Sequence, residues 1–488
     1  MSLHNRKSLE PYIRDDVTFY EHQVEGVRRM WNMRSFLLAD DMGLGKSIQT
    51  LTVFAIHCQQ MKKKYDQDSK MLVVCPPTLK DNWVDEIEKF TRFKYVKLHG
   101  TPALREAQIG EFAEMHGCKI LIVNYEQVNR HLAQLNALDF DCLAADEAHK
   151  LKNPDSQRTK AFQKLRIERN FILTGSPLLN NAHELYTILD RIQPKQWGSY
   201  WGFKQEFCVM GGYKNKAVIG VKNEHKLVSA LQHVMIRRLK SEVLDLPEVQ
   251  IIPRIVDLTP LQRKLYDQAV GELKLDLGNS EMELDNPATK FLRLKQICGT
   301  TASLLESGED SSAKLDLAIE DAEEIVAKGN KLVVFTQFRS VHAAYVQRAK
   351  VLDVPIYELH GDVPGSERQG IVKDWGNVQG PAIIVCMLQV AGIGLNMTAA
   401  RYCQFIDKDF VPALNQQAID RLNRIGASKT QAIQVLEYRA RGTVETRVES
   451  ILKTKKNIFE SIVEQKEFQK RIAREIMTDI KAAMARVK

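Results

Sequence analysis

The sequence predicts an α/β protein built as two doubly wound parallel-sheet lobes with helical insertions, and three observations carry that expectation. At 488 residues the chain exceeds what one hydrophobic core supports, so two domains are expected. Short apolar runs bounded by turn residues alternate with longer stretches of helical period, the pattern of parallel strands joined by crossover helices. The rhythm then occurs a second time further along the chain.

In the first half the candidate strands are FLLAD (36–40), MLVVCPP (71–77), ILIVNYE (120–126), CLAADEAH (142–149) and FILTGSP (171–177). In the second half they are KLVVFTQF (331–338), IYELHG (356–361), AIIVCM (382–387), RYCQFID (401–407) and IQVLEYRARG (433–442). Runs this continuously apolar suit strands buried on both faces. Between the two sets, over about 180–325, the strand signal fades and the segment reads as mostly helical, with polar surface loops at LGNSEMELDNPA and ESGEDSSA. The expected division is residues 1–250 for a first lobe with a helical insertion at about 180–250, and 251–460 for a second with an insertion at about 258–325. Residues 461–488 are expected as a basic C-terminal helix: the stretch Lys453–Lys488 holds twice as many Lys and Arg as Asp and Glu, at amphipathic spacing.

A content of 44% hydrophobic and 27% charged residues is that of a globular protein rather than a disordered or fibrous one. The net charge of +8 suits a polyanionic partner without requiring one. The eight cysteines form no CxxC, so structural zinc is not expected, and free thiols within apolar runs point to a reducing compartment. The opening MSLHNRKSLEPYIRDD lacks the apolar core of a leader, and no run of 18 apolar residues occurs, so a cytoplasmic protein without membrane contact is expected.

The chemistry concentrates in LLADDMGLGKSIQTL, where Met42, Gly43, Leu44, Gly45, Lys46 and Ser47 follow a buried strand and open a helix. Glycines let backbone N–H groups face phosphates, the helix N-terminus favours negative charge, Lys46 reaches the outer phosphates, and Ser47 can ligate magnesium. ATP and Mg2+ are the implied ligands. One departure is visible: the first glycine of the general GxxxxGK[ST] pattern is Asp40. Further along, LAADEAHK puts Asp146 and Glu147 at a strand end. There Asp146 can hold the metal and Glu147 can orient an attacking water. A charged strand end before a solvated helix is the competing reading, but it leaves the upstream phosphate loop unexplained. His149 has no second His or Cys near it in sequence and reads as a coupling or packing residue. Thr174, Gly175 and Ser176 offer small hydroxyls and a flexible backbone at the next strand end, or form a plain turn. Gln23 can read an adenine edge with its paired amide groups, or is a surface glutamine.

These segments resemble, in this order, the Swi/Snf family of superfamily-two DNA translocases. The blocks are YEHQVEGVRRMW, LLADDMGLGKSIQTL, VVCPPTLKDNWVDEIEKF, DEAHKLKN, LTGSPLLNN, MIRRLKSEVLDLP, LKQIC, VVFTQF, HGDVPGSERQ, VAGIGLNMTAA and QQAIDRLNRIG, spread over about residues 18–460. The resemblance implies two RecA-like lobes, ATP hydrolysis and movement along double-stranded DNA, with DNA-bound proteins as further partners. An acidic residue at the Asp40 position is itself similar to the family's phosphate loop. By resemblance Gln23 is the adenine reader, Lys46 and Ser47 serve the phosphates and the metal, and Asp146 and Glu147 are the metal-binding and catalytic carboxylates. Gly392 and Gly394 resemble a loop touching DNA and nucleotide, and Arg421 and Arg424 resemble arginines that reach the nucleotide from the second lobe.

The arginine pair has its own rationale, since residues three apart on a helix share a face and a guanidinium can stabilise charge developing on the γ-phosphate. A surface pair bridged to Asp420 is the alternative. Expected track contacts are Pro77, Thr78, Asn124, Tyr125, Gln337, Phe338, His360 and Gly361; Tyr125 and Phe338 can equally fill core. Two departures from the family pattern are Ala427 after RIG, where glutamine is usual, and Phe410-Val411-Pro412 in place of Trp-Asn-Pro. The compact form resembles bacterial or viral members, which implies a nucleoid-associated protein of the cytoplasm, or of a host's cytoplasm. A strand-separating helicase and a non-hydrolysing DNA scaffold are the rival functions.

Overall fold

The structure is a computed structural model that describes residues 9–175, 182–211, 217–238, 240–271, 274–276, 281–283, 287–302, 304–305, 309–365, 367–391, 395–409, 412–424 and 432–445. The chain divides into two compact units, Met1–Leu244 and Asp245–Lys488, ahead of the expected position 250. The basic stretch Lys453–Lys488 and residues Ser176, Gly392, Gly394, Phe410, Val411 and Ala427 lie outside the described residues.

The first unit is organised on seven strands: β1 (Ser35–Leu38), β2 (Lys70–Cys75), β3 (Lys94–Lys97), β4 (Lys119–Asn124), β5 (Cys142–Ala145), β6 (Arg169–Leu173) and, after a β7–β8 hairpin (Cys208–Gly211 and Ala217–Val221), β9 (Met235–Ile236). All pairings in the seven-stranded sheet are parallel, in the order β3-β4-β2-β5-β6-β1-β9. Every residue of β1 and β5 is buried, so the strands read as apolar runs rather than as alternations. Alternate side chains go to opposite faces: Leu72 and Val74 of β2 join the large core cluster on one side, while buried Met71, Val73 and Cys75 point to the other.

The second unit repeats the plan with β10 (Val249–Val256), β13 (Leu332–Thr336), β14 (Ile356–Leu359), β15 (Ile383–Met387), β16 (Tyr402–Phe405) and β17 (Ile433–Ala440), parallel throughout in the order β10-β17-β16-β13-β15-β14. Here too one face carries Val333, Phe335, Ile384 and Cys386, and the other Leu332, Val334, Ile383 and Val385. A second hairpin, β11–β12 (Lys274–Asp276 and Glu281–Glu283), branches from it.

The structure supplies all ten anticipated strands and corrects the reading between them. Three sheet strands had no sequence signal: β3 sets only Tyr95 and Val96 between two lysines, β9 is two residues long, and β10 carries Pro253 with Ile251 and Ile255 exposed. All three are sheet edges, where a missing N–H or a wet side chain is tolerated. The segments expected to be helical hold the two hairpins as well as helices, and Glu281–Glu283 of the expected LGNSEMELDNPA loop is a strand. Among the described residues no helix is long and apolar enough to cross a membrane.

Candidate active site

The phosphate loop joins β1 to the helix Lys46–Tyr65. Gly43 (φ 84°) and Gly45 (φ 76°) both adopt left-handed backbone. At Gly45 a Cβ would also lie 2.4 Å from Gln23 Nε2, so glycine is required there twice over. Lys46 Nζ donates to the carbonyls of Asp40 (2.8 Å) and Asp41 (3.3 Å), which holds the ammonium inside the curl of the loop, and Ser47 opens the helix beside it, partly exposed. Gly175, after β6, sits against the same loop: a Cβ there would come within 2.8 Å of Met42 Cγ and 3.7 Å of Lys46 Nζ. Gln23 is buried against the loop, not on the surface; its Oε1 accepts from Tyr20 N (3.1 Å) and its Nε2 donates to Leu44 O (3.3 Å). One donor and one acceptor position of its amide are left for a base edge.

Asp40, the residue that departs from the general loop pattern, is fully buried. Its carboxylate takes Arg238 as a fork, Nε to Oδ1 at 2.9 Å and Nη2 to Oδ2 at 2.6 Å, with Gln49 Nε2 adding a third bond at 3.1 Å. Arg237 donates to the carbonyls of Ala39 (3.5 Å) and Gly175 (3.4 Å). Sequence reasoning assigned no role to these arginines. The available signal was their place in the MIRRLKSEVLDLP block together with an aspartate where glycine is usual.

The carboxylate pair follows β5. The Asp146 N–H donates to Val74 O (2.8 Å), which continues the ladder one residue past the strand. Trp83 Nε1 donates to Asp146 Oδ2 (3.0 Å), the Glu147 N–H to Oδ1 (2.9 Å), and the Tyr125 hydroxyl to the Asp146 carbonyl (2.6 Å). Burial pushes the Asp146 carboxyl above its ordinary value, Glu147 adds to the push, and Lys46, Trp83 and the Glu147 N–H oppose it. Lys46 and Asp146 both stand at the carboxyl end of the same sheet, where open α/β sheets place their ligands. Glu147 has φ 49°, a left-handed backbone that costs a non-glycine residue about 1–3 kcal/mol. Its carboxylate lies 3.1 Å from His149 Nδ1. Each Asp146 oxygen receives one N–H and retains lone-pair capacity, so Asp146 with Ser47 fits a hydrated magnesium ion; bound there, the ion would neutralise phosphate charge.

The expected track residues separate into exposed and buried ones. Pro77 is exposed and Thr78 partly so, in a turn after β2. Asn124 caps the helix Tyr125–Arg130, accepting from Gln127 N at 2.8 Å. Tyr125 (2% exposed) and Phe338 (7% exposed) are corrected: both are core, and Tyr125 braces Asp146 rather than facing a ligand. In the second unit Gln337 accepts from Lys295 Nζ (2.6 Å), while His360 is partly exposed and Gly361 exposed. The expectation for the arginines also changes. The helix Pro412–Leu422 contains Arg421, which is buried, but ends before Arg424, so the two do not share a helical face.

Two family models match the chain: the SNF2-related domain over residues 22–302 and the helicase conserved C-terminal domain over residues 317–426. The first spans more than half the chain, and the protein belongs to the SNF2 family. It is similar to an uncharacterized ATP-dependent helicase of Mycoplasma pneumoniae, 30% identical over 441 residues that cover 88% of this chain and 40% of the relative. A putative ATP-dependent helicase/translocase of Bacillus subtilis is 27% identical, covering 88% of the chain and 46% of the relative. The human DNA excision repair protein ERCC-6 is 27% identical, covering 88% and 31%. The chain thus spans less than half the length of each of these relatives.

Proposed function

We propose that the protein is an ATP-dependent double-stranded DNA translocase that couples ATP hydrolysis to movement along DNA and to remodelling of protein–DNA complexes or branched DNA. What supports this reading is that the loop carrying Lys46, after β1, and the Asp146–Glu147 pair, after β5, stand at the carboxyl end of one parallel sheet. In this reading Lys46 and the loop amides bind the outer phosphates, Ser47 and Asp146 hold magnesium, and Glu147 positions water for in-line attack. Gln23 offers its remaining amide groups to adenine. Pro77, Thr78, His360, Gly361 and Gly392 contact the phosphate backbone, which carries no base identity and so suits movement independent of sequence. The names of the B. subtilis and human relatives, a helicase/translocase and a DNA repair protein, agree with this class of activity.

The test is phosphate release with and without duplex DNA. Duplex should stimulate the rate strongly, and Lys46→Ala or Glu147→Gln should lower it by at least about 100-fold. Equal rates with and without duplex would exclude a motor. Since two relatives carry helicase in their names, strand separation is the second reading. Displacement of a third strand from a triplex without unwinding of a forked duplex separates the two, the translocase giving the first signal alone.

A further inference from the structure

We propose that Arg238 is a positioning residue for the phosphate loop: its guanidinium grips the buried Asp40 carboxylate and ties the loop to the last strand of the first unit. This rests on the functional reading above and adds a residue to it.

Five observations lead there. The register of β1 on β9 pairs Leu38 with Ile236, which sets Arg238 opposite Asp40 two residues further on. The backbones run on together past the strands, with Ala39 N donating to Ile236 O (2.8 Å) and Asp41 N to Arg238 O (3.0 Å). The Lys240 N–H then donates to Asp41 Oδ2 (3.1 Å), so both acidic residues of the loop are held by the same short segment. Gln49, in the helix the loop opens, closes the ring by donating to Asp40 Oδ2 (3.1 Å) and accepting from Arg238 Nη2 (3.1 Å). Room for this ring comes from Gly26, where a Cβ would fall 1.9 Å from Gln49 Oε1 and 2.8 Å from Arg238 Nη2.

The consequence concerns Lys46. Its ammonium rests on the carbonyls of Asp40 and Asp41, whose side chains Arg238 and the Lys240 amide hold. A charge-assisted fork fixes direction as well as distance, and a lysine in its place would keep the charge but lose the fork. Arg238 itself points into the unit with 8% exposure and touches no reacting group, so its effect passes through the loop.

Binding of the fluorescent analogue mant-ATP with magnesium to the full chain tests this, with thermal melting run in parallel. For Arg238→Lys we expect a melting temperature close to that of the parent, a Kd weakened about tenfold, and KM for ATP raised in step while kcat stays within about twofold. A folded Arg238→Lys protein that binds like the parent would overturn the proposal, as would a loss confined to kcat. If Arg238→Lys does not fold, the double variant Asp40→Asn with Arg238→Gln takes over, because a neutral amide pair leaves no buried charge unpaired. It should fold and show the same tenfold weakening; parental affinity would overturn the inference. Failure of the parent chain to bind mant-ATP would remove the functional reading too, whereas parental binding matched by the variants removes this inference alone.

Discussion

Asp146 in the first unit and Asp407 in the second stand just past the carboxyl end of a central parallel strand, and burial pushes both carboxyls up, yet their neighbours give them opposite tasks. Asp407 is sealed in, accepting from the Thr336 hydroxyl (2.6 Å) and the Gln337 N–H (2.7 Å), with the buried ammonium groups of Lys314 and Lys295 nearby. Those lysines are in turn committed: Lys314 to Ile406 O (2.8 Å) and Glu445 (2.6 Å), Lys295 to Gln337 (2.6 Å) and Lys408 O (2.7 Å). Asp146 instead stands beside a second carboxylate and the phosphate-loop lysine, partly open to solvent. Within one architecture, a carboxylate ringed by fixed internal partners holds the fold, and one left with unfilled acceptor positions beside a like charge is available for a metal.

Breaking the enclosed network should have the largest effect. Lys314→Met leaves Glu445 without its cation, and we expect a loss of about 3–5 kcal/mol, read as a lower urea midpoint. Adding Glu445→Gln should recover most of it, and a single variant as stable as the parent would erase the contrast between the two carboxylates.

A smaller effect, on pH dependence, sharpens the other side. Because the Asp146 carboxyl is raised, the folded state binds its proton more readily than the unfolded chain does. Its contribution to stability is therefore present at low pH and lost as pH rises from the ordinary carboxylate value through the raised one. Metal binding needs the ionised form, so ATP hydrolysis should fade in acid at a higher pH than an ordinary carboxylate dictates. Trp83→Phe deletes an N–H that favours the ionised form, and the acid limb of the rate profile should move further up; an unmoved limb would show that Asp146 does not set it.

The smallest expected change is Tyr125→Phe. It removes the hydroxyl bond to the Asp146 carbonyl and should cost about 1 kcal/mol in thermal melting. Hydrolysis by Tyr125→Phe should stay near the parental rate, since the ring is core; a collapse in DNA-stimulated rate without loss of stability would return Tyr125 to the track.

Much of the site was legible because its parts are local. Strands buried on both faces appear as unbroken apolar runs, and the glycines, Lys46 and Ser47 follow one of them within a few residues. What stayed hidden depends on edges and on distance. β3, β9 and β10 are edge strands that are short or carry lysines, a proline and exposed isoleucines, so no unbroken apolar run marks them. Arg238 lies 198 residues from Asp40 in sequence, and no periodicity links them. Tyr125 and Phe338 occupy strand ends where an aromatic ring can turn to core or to solvent, and spacing alone does not choose.

By itself the chain determined its family, its two parallel sheets and the motifs of the candidate site, since these follow from short-range order: residue type, apolar period and motif spacing. Tertiary structure alone decided that Asp40 is gripped by Arg238, that Asp407 is sealed while Asp146 stays partly open, and that Arg424 stands beyond the end of its helix. The reason is that desolvation and hydrogen-bond partners, which set what a charged group can do, are supplied by neighbours drawn from distant parts of the sequence.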